Sequence, residues 1–378
     1  MAGARESVVE IQGREIKLSN LQKVLYPEAG FTKAQVIDYY VRIAPVLLPH
    51  LRGRPLTMKR YPEGVNGQYF YEKNCPRHRP SWVQTAPVWS EGNNRWMDYC
   101  LVQDLPTLVW AANLADLELH TSLSLASDIL RPTVIVFDLD PGAPANLVQC
   151  CRVGLWVRKI FNELELEAFA KTSGSKGLQV YVPLNTPVTY DDTKRFAHEL
   201  ARVLERAHPD LVVSDMKKAL RVGKIFVDWS QNDDHKTTIC VYSLRAKERP
   251  TVSTPVTWDE VEQCWHKQDA NMLVFTCDQT LKRVEEFGDL FEPVLRPKQK
   301  LPPVDALRGT EALAVDGNAR ATTRGTTAEG SAAAGRESSA AHEGSAAVPA
   351  AGLGSTTRKS RKPAKSAKRS RPRQKRAA

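Results

Sequence analysis

Two periods organise the apolar positions of the first 298 residues. A return every three to four residues predicts helices over Ala145 to Leu166 and Tyr190 to Ala207. Thr32 followed by Gln35 has the spacing of a capping box and predicts a helix from Lys33 to about Leu48. Shorter helices are expected over Trp258 to Lys267 and Gln279 to Phe287. Strand patterns cover Leu56 to Tyr61 and Gln68 to Tyr71 on either side of a Gly- and Asn-bearing turn. Further strands are predicted over Leu178 to Leu184 and Lys224 to Trp229, and the apolar run Thr133 to Asp138 reads as a buried strand. No regular strand–helix–strand rhythm emerges, which favours an α+β fold.

Hydrophobic residues make up 42% of the 378 residues, enough for one large core or two smaller ones. No apolar run reaches 18 residues, so no membrane-spanning helix is expected. The charged start, with Arg5, Glu6 and Glu10, does not fit a signal peptide. Seven cysteines without a C-x-x-C pair suggest reduced core thiols in a cytosolic protein. Cys75 and His78 form a lone C-x-x-H, short of the four ligands that structural zinc requires.

Charge changes the picture near the C-terminus. From Leu301 onward there are 15 basic and 6 acidic residues, which supply +9 of the net +10. The body is therefore nearly neutral, and a nucleic-acid footprint on it must be a local patch. Residues 299–378 are expected to be a disordered Ala-, Gly- and Ser-rich linker ending in a basic tail, with eleven basic residues between Arg358 and Arg376. Such a tail attracts phosphate backbones without regard to sequence.

Three segments carry candidate chemistry. In VIVFDLDPG, Val134 to Gly142, strand alternation puts Asp138 and Asp140 on one face. Paired carboxylates repel unless a cation lies between them, so the end of this strand is a candidate Mg2+ or Mn2+ site; a solvated acidic turn is the plainer alternative. In KTSGSKGLQVYVPL, Lys171 to Leu184, the Ser173–Gly177 loop could bring backbone N–H groups and Lys176 to an anion, or be an ordinary turn. In KIFVDWSQNDDHKTTICVYSLRAKERP, Asp228 interrupts an apolar strand, followed by Lys236 and Arg245, either of which could pair with it. Three carboxylates, a Ser/Lys loop and two cations match the inventory of two-metal phosphoryl transfer.

These segments resemble the three motifs of the archaeo-eukaryotic primase superfamily, in particular the polymerase domain of the bacterial ligase D family. The phrases KLSNLQKVLYPE, TKAQVIDYY, PLTMKRYPEGV, FYEKNCP, LELH, FDLDPG, VDWSQN and YSLRA carry the resemblance, from about Ile16 to Leu295. It implies mixed and antiparallel sheets flanked by helices, over a catalytic domain of residues 1–298. It implies that Asp138, Asp140 and Asp228 hold two divalent ions, manganese or magnesium. His120, Ser173, Lys176, Gln179, Gln231, Lys236 and Arg245 would face the nucleoside triphosphate. Asn20, Lys23 and Lys33 would grip the 5′-phosphate of a DNA end. Lys59 and Arg60 would lie near the nucleic acid, and Phe70 and Tyr71 would stack on template bases. The implied activity is templated extension of DNA 3′ ends and filling of short gaps, with ribonucleotides preferred, in non-homologous end joining. A Ku-type end-binding protein and a separate ligase are the implied partners, because no K-x-D-G ligase motif occurs.

One position departs from the family pattern S-G-x-K-G-x-H. Gln179 stands where the histidine is expected, and it offers a neutral amide donor in place of a ring that can carry charge. Two other readings follow. One is a DNA-end scaffold whose catalysis has decayed at Gln179. The other is a D-x-D phosphatase, which leaves Asp228 and the Ser/Lys loop without a role.

Overall fold

The computed structural model describes residues 6–314, and contains six helices within that range. Two sheets organise the fold. The first is built on β1 (Pro55–Arg60), β2 (Phe70–Glu72), β3 (Thr85–Ser90), β4 (Arg95–Leu101) and β5 (Asp116–Thr121). Its order is Thr238–Ile239, β5, β1, β4, β3, with β2 also on β1. The second is built on β6 (Val134–Pro141), β7 (Phe169–Thr172), β8 (Leu178–Pro183) and β9 (Ile225–Asp228), in the order Val212–Val213, β9, β6, β8, β7, Pro255–Val256. The pairings among β6, β7, β8 and β9 are all antiparallel. This is the mixed α+β architecture that the interspersed pattern predicted.

Helix α1 (Lys33–Leu51) opens with the expected capping box and buries Val36, Tyr40, Ile43 and Leu47. It packs with α2 (Leu105–Asn113), which the sequence reading missed, against the core of the first sheet. Asp104 caps α2 by accepting from the Thr107 backbone N–H, and Pro106 fits its first turn. Helices α3 (Leu147–Glu163), α4 (Tyr190–Ala207) and α5 (Trp258–Lys267) border a second core on the other sheet. Helix α6 (Cys277–Phe287) contacts α1.

Strand β6 divides the two cores. Ile135, Phe137 and Leu139 belong to the α3/α4 core, while Val134 and Val136 belong to the core of the first sheet. Each such side chain contributes about 1.5–3 kcal/mol of burial, so the register of β6 is strongly fixed. The face that holds Val134 and Val136 carries Asp138 and Asp140 two and four residues later. The apolar run therefore aims the acidic pair.

Two expectations are corrected. Cys75 and Cys100 form a disulfide, so the thiols are not all free; Cys150, Cys151, Cys240, Cys264 and Cys277 are free and buried. Cys75 is thereby unavailable as a zinc ligand. The packed body also continues past Lys298. The Gln299 amide bonds the carbonyls of Glu167 and Pro183, and Leu307 is 1% exposed. Leucines at 301 and 307 and Val304 supply the apolar surface that the Pro- and Lys-rich composition concealed. The rest of the proposed linker and the basic tail lie outside the described residues. Among the described residues, no helix is long and apolar enough to cross a membrane.

Candidate active site

A cleft of about 520 Å3 lies between the two sheets, lined by Thr57, Tyr71 and His120 on one side and Asp138, Asp140 and Gln179 on the other. Ser173, Lys176, Gln231, Lys236 and Arg245 complete much of its wall. All seven residues assigned to the nucleotide thus border one cavity, together with two of the three carboxylates.

The third carboxylate is brought in by register. Asp138 is directly opposite Asp228 on β9 and directly opposite Gln179 on β8. Gln179 is in turn opposite Lys171 on β7. Directly opposed residues share a face, so one row runs Asp228, Asp138, Gln179, Lys171 across four strands. Asp228 does not pair with Lys236 or Arg245 as first considered. Its carboxylate accepts from the Ser230 backbone N–H at 3.0 Å, the Ser230 hydroxyl at 2.6 Å and the Gln231 amide at 3.0 Å. Asn232 extends the ladder: its side chain accepts from the Val136 N–H and donates to the Val136 carbonyl, holding β6 where β9 ends.

Burial raises the Asp138 pKa to about 8, and the neighbouring Asp140 and Asp228 push the same way. The facing Gln179 amide and the charge of Lys171 oppose the rise. Asp140 is also raised, first by burial and then by Asp228. Asp138 Oδ1 is buried with no hydrogen-bond partner among the described residues, an expensive state for a carboxylate oxygen. An all-oxygen donor set with an orphaned anionic atom fits a hard divalent cation, Mg2+ or Mn2+. Asp233, Asp234 and His235 also cluster within 4.8 Å, but Asp233 is engaged by Lys194 and His235.

The loop beside the carboxylates is held by glycines and by Ser173. A Cβ on Gly177 would lie 2.3 Å from the Leu139 carbonyl oxygen. Gly174 has φ +67° and no room for a Cβ against Val252 and Ser253. The Ser173 hydroxyl accepts from the Gly177 and Ser175 backbone N–H groups, leaving its own hydrogen for a ligand. Lys176 is exposed at the loop tip. Arg245 donates to the Ser173 carbonyl at 2.5 Å and lies 3.3 Å from Glu118, which ties the loop to the first sheet.

Glu118 was overlooked within LELH, where only His120 was assigned. On β5, Asp116, Glu118 and His120 share one face, and Leu117 and Leu119 bury the other. A buried carboxylate between leucines was the available signal. Glu118 meets Lys59 and His120 at 3.1 Å and accepts from the Ala246 N–H. Burial opposes its ionisation, but the bond from His120 and the charges of Arg245 and Lys59 hold it well below the usual range. Burial lowers the His120 pKa although Glu118 opposes this, so His120 inclines to the neutral form. Lys59 and Arg60, expected near the nucleic acid, each have a carboxylate partner. Lys59 is paired with Glu118 and lies over Tyr61, Tyr69 and Tyr71. Arg60 is paired with Glu72 and lies over Phe70.

Phe70 and Tyr71 are exposed, and Tyr69, which was not singled out, is exposed beside them. Tyr71 meets the His120 ring edge-to-face at 5.9 Å, so this aromatic surface continues into the cleft. Asn20, Lys23 and Lys33 gather at the start of α1, where the Lys33 N–H donates to the Lys23 carbonyl and the Lys23 N–H to the Asn20 carbonyl. The Lys33 ammonium is buried and donates to the Ser19 carbonyl at 2.7 Å. Burial, reinforced by Lys23 and Arg60, brings its pKa down to about 8. Lys23, beside it, lies 2.8 Å from the exposed Glu63, so two ammonium groups meet here with one surface carboxylate.

Residues 32–291 match the model of the LigD primase-polymerase domain. The chain belongs to this family. It is 42% identical over 281 residues to the multifunctional non-homologous end joining protein LigD of Mycolicibacterium smegmatis, covering 74% of this chain and 36% of that protein. The bifunctional LigD of Bacillus subtilis is 29% identical over 289 residues, 76% of this chain and 45% of that protein. The chain therefore spans less than half the length of these relatives. The solved polymerase domain of Mycobacterium tuberculosis ligase D, in complex with DNA, aligns with a TM-score of 0.69 and 38% identity, covering 74% of this chain and 98% of that one. Membership of a DNA-directed nucleotidyltransferase family excludes the phosphatase reading of FDLDPG.

Proposed function

We propose that this chain extends DNA 3′ ends and fills short gaps by templated nucleotidyl transfer, with ribonucleotides preferred, during non-homologous end joining. The observation that carries the reading is the group of three carboxylates, Asp138 opposite Asp228 and Asp140 on the same strand face, with an orphaned buried oxygen on Asp138 and a cation-rimmed cleft over Asp138 and Asp140. Asp138, Asp140 and Asp228 would hold two divalent ions, which supply charge neutralisation and activation of the primer hydroxyl. Ser173, Lys176, Lys236 and Arg245 supply donors to the triphosphate, where charge develops on the leaving pyrophosphate. His120, held by Glu118, presents its ring to the same cleft. Tyr69, Phe70 and Tyr71 offer π-faces to template bases, a contact worth about 1–3 kcal/mol per base. Lys23 and Lys33 take the 5′-phosphate across a gap. DNA, nucleoside triphosphates, a Ku-type protein and a separate ligase are the partners in this reading.

The test is single-nucleotide extension on gapped, 5′-phosphorylated DNA in Mn2+ and in Mg2+, comparing ribo- and deoxynucleotides. Extension abolished by Asp138→Ala/Asp140→Ala supports the proposal. DNA binding without extension in either metal would instead identify an end-binding scaffold, which the glutamine at position 179 favours.

A further inference from the structure

Lys171 lies behind the carboxylates and has no place in the mechanism above. Its side chain is 0% exposed and does not line the cleft, so it cannot touch substrate. Its ammonium donates to Gln179 Oε1, and to the Ser253 hydroxyl at 2.7 Å. Ser253 passes its own hydrogen to the Thr172 carbonyl at 2.8 Å, so the oxygen it offers Lys171 is fixed. Tyr181 lies beneath the ammonium, 5.3 Å from ring centroid to nitrogen. The ammonium is therefore held by neutral partners; burial brings its pKa down to about 7, and the charge of Asp138 across the sheet opposes that fall.

This arrangement resolves the sense of the Gln179 amide. A glutamine can present either its oxygen or its NH2 group to a neighbour. In its ammonium form Lys171 has three donors and no acceptor, so in that form only the Gln179 oxygen can face it, as the bond to Oε1 has it. With its oxygen towards Lys171 on one side, the NH2 group is on the other, towards the cleft and the directly opposed Asp138. A neutral histidine here would be sorted by the same rule, turning its bare nitrogen to Lys171 and its N–H to the cleft.

We propose that Lys171 is a positioning residue that locks the Gln179 amide with its NH2 group towards Asp138, so that glutamine supplies the donor a histidine would give at this position. The proposal rests on the cleft being the polymerase centre. Partners of this kind, one bond removed from the reacting groups, typically change activity by about 10–100-fold.

Two measurements test it separately from the polymerase reading. The first is the side-chain amide resonance of Gln179 in 15N-labelled protein, assigned by its loss in Gln179→Leu. One strongly shifted amide proton is expected, moving to the free-amide position in Lys171→Met; an unmoved resonance overturns the proposal. This readout needs no catalysis. The second is a cycle of single-nucleotide incorporation with Lys171→Met, Gln179→Leu and the double variant. Lys171→Met is expected to lower kcat about 10-fold with KM little changed, yet less than about 2-fold when Gln179 is already leucine. Losses that multiply would show independent roles and overturn it. Gln179→Glu guards against misfolding, because it keeps a partner for Lys171 but removes the donor. It should match Gln179→Leu in rate, and wild-type activity in this variant would also overturn the proposal. Absence of extension by the wild-type protein sinks the polymerase reading, and the resonance then decides the role of Lys171 alone.

Discussion

The two sheets treat buried charge in opposite ways. On the first, Glu118 is surrounded by Lys59, His120 and Arg245 and accepts from a backbone N–H, so every partner it needs is protein. On the second, Asp138 faces two further carboxylates and keeps an oxygen with no partner. A closed network is scaffold, whereas an unbalanced one is stable only when something from outside completes it. The difference separates the residues that hold the cleft from those that need a ligand.

The sharpest way to break the comparison is Asp138→Ala. If the second sheet is where the reaction is organised, extension should fall roughly a thousandfold, about 4 kcal/mol of transition-state stabilisation. The milder Asp138→Asn should also abolish extension while raising stability by about 1 kcal/mol, because it relieves repulsion that the bare protein tolerates. Equilibrium unfolding without divalent metal checks the sign. A destabilised Asp138→Asn would mean that the carboxylates are already balanced.

Glu118→Ala should do the reverse. It leaves the Lys59 and Arg245 cations without their buried partner, at a cost of about 3 kcal/mol in unfolding free energy. Loss of activity should follow from loosening of Arg245 and the Ser173 loop it holds. A Glu118→Ala protein as stable as wild type would show that this network is not scaffold.

A third charge group lies between these extremes. Among the described residues Lys33 has Ser19 oxygens as partners but no ion pair, with Lys23 nearby. Lys33→Met is expected to remove about a tenfold preference for 5′-phosphorylated over unphosphorylated gaps, roughly 1.4 kcal/mol, with extension on open primer-templates unchanged. Equal losses on both substrates would place Lys33 in general DNA binding. Lys23, whose partner Glu63 is mostly exposed, should contribute less.

Much of this was legible in residue patterns. The apolar run ending at Asp138 announced a buried strand with both acids on one face, and the capping box marked the first residue of α1. Opposition of Asp138, Asp228 and Gln179 was not legible, because register depends on strands distant in sequence. Lys171 was passed over because a charge within a strand shows its burial only when the facing elements are known; Glu118, between two leucines, carried a signal that went unused. The ion pairs of Lys59 and Arg60 were not legible, because Glu118 and Glu72 come from other strands. The Cys75–Cys100 pairing spans 25 residues without a spacing signature. The body's extension to Leu307 was hidden by prolines and lysines around a few buried aliphatic side chains.

The smallest effect concerns a carboxylate that behaves like Glu118 but lies far from the cleft. Asp289 joins the C-terminal end of α1 to the turn after α6. It meets His50 at 2.9 Å, and accepts from the Tyr242 hydroxyl at 2.7 Å and the Phe291 N–H at 2.9 Å. Burial opposes its charge, but the bonds from His50 and Tyr242 lower its pKa below the ordinary value. A depressed folded-state pKa adds stability that is present above the unfolded value, near 3.9, and is lost as pH falls through the folded one. Asp289→Asn should therefore be about 1 kcal/mol less stable than wild type at pH 7. That gap should close as the pH drops below about 4, as chemical denaturation across the range would show. Extension at pH 7 should be unchanged, since nothing in the cleft depends on this carboxylate. A gap that stays constant with pH would mean that shape, not charge, is what Asp289 contributes, and that the contrast between closed and open charge groups does not extend beyond the two sheets.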